Sequence, residues 1–228
     1  MRPPKVLFFD VNETLLDLTK LKQSVAEALG GNEDLVSLWF TTMLQYSLVT
    51  TVSHKYYNFG EIGAASLRMV AANYGHHLSD EEAKKVLKPI RSLPAHPEVK
   101  EALSRLKANE FKMIALTNSS DEVMREQLEN ADLAQFFDDN LSVEKAGKYK
   151  PHRDVYHWAA SKAQVDPADC MMIAAHGWDI AGAIWAGFMG AFIARPEQQR
   201  YLLAPKPEID ETDLLKVANT LIALKHSR

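Results

Sequence analysis

Val6-Leu-Phe-Phe9 is an unbroken apolar run that stops at a carboxylate, Asp10, and gives way to polar and turn-forming residues. A strand without polar alternation is buried on both faces, and such strands belong to parallel sheets covered by helices on either side. In an open sheet of that kind ligands gather beyond the carboxyl ends of the strands, so an acid closing the first strand stands where chemistry is expected. Asp10 is therefore the candidate reacting group. The ordinary alternative is an acid that caps a loop or the next helix.

The remaining pattern alternates helix and strand. Leu18, Leu21, Val25, Ala28 and Leu29 recur at helical spacing up to Gly30-Gly31, a helix stop. Further helices are expected from about Asp34 to Val49, after Tyr57-Asn-Phe59-Gly60 with Ile62, Leu67 and Val70, and behind a Ser79-Asp-Glu-Glu82 capping box. Pro89, Pro94 and Pro97 close this region. A helix over 98–108 follows, then a strand over 111–116 that ends in Thr117-Asn118-Ser119-Ser120, and a helix carrying Val123, Met124 and Leu128. A short strand over 138–143 precedes Lys148-Tyr-Lys150-Pro151 and a helix from near His152. Strands over 170–174 and 190–194 bracket a helix containing Ala181 and Ile184, and an amphipathic helix over 213–224 comes last.

This order predicts an α/β protein with a doubly wound parallel sheet and an inserted helical cap. Residues 1–16 and 93–228 would form the core and 17–92 the cap. A cap there would cover Asp10 and exclude bulk water. Asp10, Thr117, Lys150 and Asp179 all fall at strand ends or in the loops behind them, and right-handed crossovers bring such positions to one edge of the sheet.

Composition narrows the partners. The 228 residues are 46% hydrophobic and 25% charged, as in ordinary globular chains. A net charge of −4 with no dense Lys/Arg run argues against nucleic acid. The single cysteine, Cys170, excludes an intrachain disulfide and a multi-cysteine zinc site, and it is expected to pack beside Met171 and Met172. No signal peptide is expected ahead of the first strand, and no apolar run is expected to reach the roughly 18 residues of a membrane span. A cytoplasmic location without a membrane partner is the expectation. His54, His76 and His77 have no acidic or cysteine partner at metal spacing and are read as surface residues.

The phrase Phe-Asp10-Val-Asn12-Glu13-Thr14-Leu-Leu-Asp17, followed in order by Thr117-Asn118, Lys150-Pro151 and Asp179, resembles the four motifs of the haloacid dehalogenase superfamily over nearly the whole chain. The resemblance narrows to the L-2-haloacid dehalogenase branch. Phosphatases of the superfamily place a second Asp two residues after the nucleophile, as general acid and magnesium ligand. Asn12 stands there, and an amide neither donates and recovers a proton as a carboxyl group does nor offers anionic oxygen to a hard cation. Asp179 is also a lone acid at the fourth motif. Val155-Tyr156, Trp178-Asp179 and the cap segment Leu38-Trp39…Leu44-Gln45-Tyr46 look like dehalogenase patterns as well.

The resemblance implies hydrolysis of short L-2-haloalkanoic acids to 2-hydroxy acids through an ester on Asp10, with no cofactor and no metal. Lys150 would hold Asp10 ionised and aimed, and Asp179 would orient Lys150. Thr14, Asn12, Thr117, Asn118 and Tyr156 are expected around the substrate or the nucleophile. Phe59 and Trp178 would wall the halide and alkyl group, with core packing as the alternative for both. The partners so implied are a 2-haloacid and the released halide. The resembled family is often dimeric, and the Leu35–Val49 helix offers an apolar face for a homodimer, which lid packing explains equally well.

Three positions depart from the common dehalogenase pattern. Phe40 replaces an Arg after the cap Trp, and no arginine occurs between Arg2 and Arg68, so halide capture falls to groups such as Asn118, Phe59 and backbone donors in a pocket that Phe40 lines. Ala174 replaces a Ser, and His176 replaces an Asn. If the Glu13 and His176 loops border one pocket, Glu13 orients the imidazole, and His176 takes a proton from the water that opens the Asp10 ester. This pairing resembles a dehalogenase subgroup with Asn-Glu in the first motif and His in the fourth. The plainer alternative is a structural loop histidine beside a solvated carboxylate. Two other functions compete: a phosphatase or other small-metabolite hydrolase of the same superfamily, and a binding protein that keeps the fold without the chemistry. Retention of Asp10, Lys150 and Asp179 together speaks against the last.

Overall fold

A computed structural model describes residues 2–227. Among these residues six strands form one sheet: β1 (Val6–Phe9), β2 (Lys112–Thr117), β3 (Asp139–Ser142), β4 (Cys170–Ala174), β5 (Met189–Ile193) and β6 (Ile209–Glu211). Their order is β3-β2-β1-β4-β5-β6 and every neighbouring pair is parallel. The order reverses at β1, between β2 and β4, which is where a crevice opens at the carboxyl edge. Phe9 pairs with Ala115 and Ile173, so Asp10 emerges level with the ends of both neighbours. β1, β4 and β5 are buried along their whole length, the covered condition that their continuous apolar sequences require.

Between β1 and β2 lie α1 (Thr19–Ala28), α2 (Asp34–Val52), α3 (Phe59–Asn73), α4 (Asp80–Val86) and a 3-10 segment over Lys88–Ser92. The chain leaves and returns at one place, where Leu16 bridges antiparallel to Ala95 and the Asp17 N–H donates to the Pro94 carbonyl at 2.8 Å. Capping boxes close the starts of α3 (Asn58 with Glu61) and α4 (Ser79 with Glu82). Gly30 and Gly31, at φ 74° and 81°, turn the chain after α1 in a conformation that disfavours a side chain. The sheet is then covered by α5 (Val99–Ala108), α6 (Asp121–Asn130), α7 (Arg153–Ala163), α8 (Gly177–Trp185) and α9 (Leu214–His226).

Several expectations need correction. α2 runs to Val52 rather than Val49, because no breaker intervenes and Thr51 Oγ1 accepts from the Tyr149 N–H at 3.1 Å, which ties its last turn to the core. At 19 residues and a mean hydropathy of 1.2 it is long and apolar enough to cross a bilayer, contrary to the reading of the sequence; Trp39, Met43, Ser47 and Thr51 form its buried face. β6 has three residues and one buried position, too few to show a periodicity. His76, expected at the surface, is half-buried against Gly30, where an added Cβ would lie 2.7 Å from its ring; His54 and His77 are exposed.

Candidate active site

Asp10 follows the last residue of β1, and its N–H donates to the Ile173 carbonyl at 3.1 Å, as though the strand continued one step further. Its carboxylate is almost enclosed and receives three donors. Lys150 Nζ reaches Oδ1 at 3.0 Å, while Thr14 Oγ1 at 2.8 Å and His176 Nδ1 at 3.1 Å reach Oδ2. Thr14 is fixed in turn, since its oxygen accepts from the Ala175 N–H at 2.9 Å. Lys150 also donates to the Leu116 carbonyl at 2.9 Å and to Asp179 Oδ2 at 2.6 Å. All three ammonium protons are thereby used, and a buried cation is left with no unpaired donor.

Beyond His176 the row goes on. Its Nε2 lies 3.3 Å from Glu13 Oε2, off the hydrogen-bond axis but within ion-pair reach, and Lys22 Nζ donates to Glu13 Oε1 at 2.9 Å. Asp179, Lys150, Asp10, His176, Glu13 and Lys22 thus alternate in sign when the imidazole is protonated. That alternation sets the ionisation of each member. Burial pushes the Asp10 carboxyl up, but the Lys150 charge and the hydrogen bond and charge of His176 overcome it and hold it well below the usual range. Burial works against the charged forms of Lys150 and His176; two carboxylates beside each reverse this, raising Lys150 and lifting His176 to about 9. Glu13 is lowered despite burial, by His176 and Lys22. Asp179 is raised, because its burial is complete and Lys150 is shared with Asp10.

The loop carrying these groups is held from behind. Glu13 adopts φ 62°, a conformation that a non-glycine residue keeps only when its surroundings impose it. His96 Nε2 lies 3.0 Å from the Glu13 carbonyl oxygen, and Arg195 Nη2 donates to the Thr14 carbonyl at 2.9 Å while pairing with Glu98 at 2.7 Å. Sequence reasoning missed both anchors: Arg195 lies just past β5 and His96 beside a proline, with nothing local to mark either.

The other expected residues take distinct places. Asn118 Oδ1 accepts from the Lys150 N–H at 3.0 Å, and Thr117 Oγ1 from the Ser119 N–H at 3.2 Å; both line the pocket. Asn12 also lines it, but its amide is engaged by Ser119 Oγ at 3.1 Å and by Gln127 Nε2 at 2.8 Å. Phe40 and Trp178 both stack on the His176 ring, with centroids 5.9 and 5.1 Å from it. Phe59 lines the pocket and leans on Tyr149. Tyr156, like Thr14, is fully buried outside the pocket lining, and its hydroxyl donates to Asp179 Oδ1 at 2.6 Å, so it orients that acid instead of meeting a substrate.

The pocket in front of Asp10 encloses about 770 Å³ out to its mouth. The inserted helices supply Leu21, Trp39, Phe40, Met43 and Phe59, the 3-10 segment Ile90, and the core Thr117 to Ser120, Val123, His176 and Trp178. Among the described residues, none of those lining the pocket is Lys or Arg. The arrangement offers an ionised, aimed carboxylate to an apolar chamber and sets an imidazole beside it, a geometry suited to displacement at carbon followed by hydrolysis of the resulting ester.

The sequence matches the family model described as haloacid dehalogenase-like hydrolase over residues 4–187. It is 30% identical over 208 residues to (S)-2-haloacid dehalogenase 1 of Pseudomonas sp. (strain CBS-3), covering 90% of this chain and 92% of that protein. With (S)-2-haloacid dehalogenase 4A of Burkholderia cepacia it shares 29% over 183 residues, 79% of this chain and 78% of the other. A solved dehalogenase with an intermediate complex superposes with a TM-score of 0.88 at 26% identity, covering 97% of this chain and 99% of that one. The L-2-haloacid dehalogenase of Xanthobacter autotrophicus gives 0.88 at 21% identity, covering 96% and 98%, a likeness of fold.

Proposed function

The chain belongs to the haloacid dehalogenase-like hydrolases, and from that premise we propose that it hydrolyses short (S)-2-haloalkanoic acids to 2-hydroxy acids through an ester on Asp10. The observation that carries the reading is the Asp10 carboxylate, held ionised by Lys150 and His176 at the floor of an apolar pocket, with the amide of Asn12 where phosphate chemistry would want an acid. The inserted helices serve as the cap that keeps bulk water from this carboxylate.

In the first half-reaction a carboxylate oxygen of Asp10 attacks C2 from behind the carbon–halogen bond. The carbon–oxygen bond forms, halide leaves with the bonding pair, and no proton moves. Lys150 and the protonated His176 orient the nucleophile; Asp179 and Tyr156 hold Lys150. Esterification removes the Asp10 charge, and with it one of the two anions that keep His176 protonated. His176 then loses its proton more readily and serves as general base toward the water that attacks the ester carbonyl, a contribution worth about a hundred- to ten-thousandfold.

Halide release from chloroacetate and (S)-2-bromopropanoate without added metal tests the activity. Asp10→Asn should release none. His176→Ala should release about one equivalent in a burst, with the protein mass increased by the ester, and then turn over slowly. Magnesium-dependent release of phosphate from an aryl phosphate, with no halide from either acid, would replace this reading by the phosphatase one.

A further inference from the structure

His176 stands in a wall between two cavities. On one side is the pocket in front of Asp10; on the other is a second cleft of about 1360 Å³ out to its mouth, where Glu13, Lys22, Glu33, Ser37, Glu197 and Gln198 sit among apolar side chains. Phe40, His176 and Trp178 line both, together with Leu18, Leu21, Trp39 and Leu44, so the stacked rings form part of the partition. The Glu13 carboxylate lies on the cleft side, held by Lys22 at 2.9 Å and by Gln198 at 3.2 Å. Lys22 is on α1, one of the inserted helices, whereas Asp10, Glu13 and His176 belong to the loops at the sheet edge.

We propose that Lys22 is a positioning residue of the hydrolytic half-reaction: it aims Glu13 at His176 and offsets that carboxylate's charge, so that the imidazole can pass its proton to the second cleft while an ester stands on Asp10. This rests on the ester reading above. In that step the water oxygen bonds to Asp10 Cγ and a water proton goes to His176. The bond from Cγ to the alcohol oxygen then breaks, and that oxygen takes up a proton. The products are the hydroxy acid, the free Asp10 carboxylate and one proton, which departs from the Nε2 side, away from the halide.

The charges facing each group decide where the proton rests. His176 meets Asp10 from the end of β1 and Glu13 from the following loop; Phe40 of α2 and Trp178 of α8 bring none. Once Asp10 is esterified, Glu13 is the remaining anion against the imidazole, and unopposed it would keep the proton there. Lys22 opposes it from α1, and Gln198 adds a neutral donor. His96, held below its usual value by burial and by Arg195, touches the Glu13 carbonyl as a neutral ring. Glu197 is 3.4 Å from Lys22 but its side chain is 76% exposed, so water screens its claim on the ammonium.

Asp10→Asn imitates the uncharged ester, and the titration of the His176 imidazole in that variant can be followed by NMR with no substrate present. Adding Lys22→Met should raise the midpoint by roughly one pH unit, and adding Lys22→Arg should leave it in place. In the otherwise native enzyme Lys22→Met should release about one equivalent of halide in a burst and slow steady-state turnover at pH 7 by roughly tenfold, with the rate recovered at higher pH. An unmoved midpoint, or a turnover lowered equally at every pH, would overturn the proposal. Absence of halide release by the unaltered protein would instead overturn the ester reading, and the NMR titration separates the two outcomes.

Discussion

At the scale of residues, one imidazole has its charge set by two acids, and this has a consequence for stability as well as for catalysis. His176 is raised from 6.5 to about 9, so the protonated form is favoured in the folded state. Its contribution is complete below about 6.5 and is lost as pH rises through about 9, on the order of 3 kcal/mol over that window. Asp10 has the opposite sign: lowered from 3.8, it contributes above that value and loses its share as pH falls below it. Urea midpoints measured from pH 6 to pH 10 should therefore fall steadily, and His176→Gln should flatten that decline. The motif residues Asp10, Lys150 and Asp179 were legible because the first closes a strand and the other two follow strands, in the loop behind β3 and the first turn of the helix behind β4. Glu13 and His176 were legible because their loops follow two strands that prove adjacent. Lys22, Gln127 and Arg195 were not: their site partners lie 9, 115 and 181 positions away, and an isolated Lys or Gln on a helix looks like any solvated residue. Tyr156 was legible as a motif residue but not in its role, which depends on which way α7 turns its face.

At the scale of elements, α8 carries Asp179 and is set unusually close to its neighbours. A Cβ at Gly182 would lie 2.3 Å from Pro151 Cβ and 2.9 Å from the Tyr156 hydroxyl, and one at Gly177 would lie 2.3 Å from the Gln199 carbonyl oxygen. Gly182→Ala must therefore push α8 away from the Lys150-Pro151 loop and from α7. The expected cost is about 1–3 kcal/mol in unfolding free energy. A loss of kcat should accompany it, because Tyr156, Asp179 and Lys150 move apart; unchanged kcat with lowered stability would show that the close approach serves packing alone. Apolar periodicity placed this helix, yet it says nothing about how near a helix comes to a loop distant in sequence. The same limit explains α2, whose start was visible in its pattern but whose end is decided by the contact of Thr51 with Tyr149.

At the scale of the whole molecule, the sheet supplies the reacting groups and the inserted helices supply the apolar wall, joined at several points such as Arg91 with Glu122 and Glu126 and Gln127 with the Ile90 carbonyl. Tyr149, next to Lys150, is one of them: its N–H donates to Thr51 Oγ1, its hydroxyl donates to the Tyr57 carbonyl, and its ring stacks on Tyr56 with centroids 5.3 Å apart. Tyr149→Phe leaves the Tyr57 carbonyl without that donor, at a cost of about 1 kcal/mol. Amide exchange over residues 50–58 should quicken and KM should rise more than kcat falls. The α/β order and the site of the insertion were both legible from one long helical interval between two apolar strands. The pairing of Leu16 with Ala95 brings the two ends of that interval side by side, so the lid is grafted onto the sheet at a single stem. Descendants of this chain can lengthen, trim or reshape the lid, and so alter which acids fit, while the sheet edge is inherited intact. Lys22 sets the limit on that freedom: a lid exchanged without regard for it would bring a new wall and forfeit the charge that lets the ester be cleared.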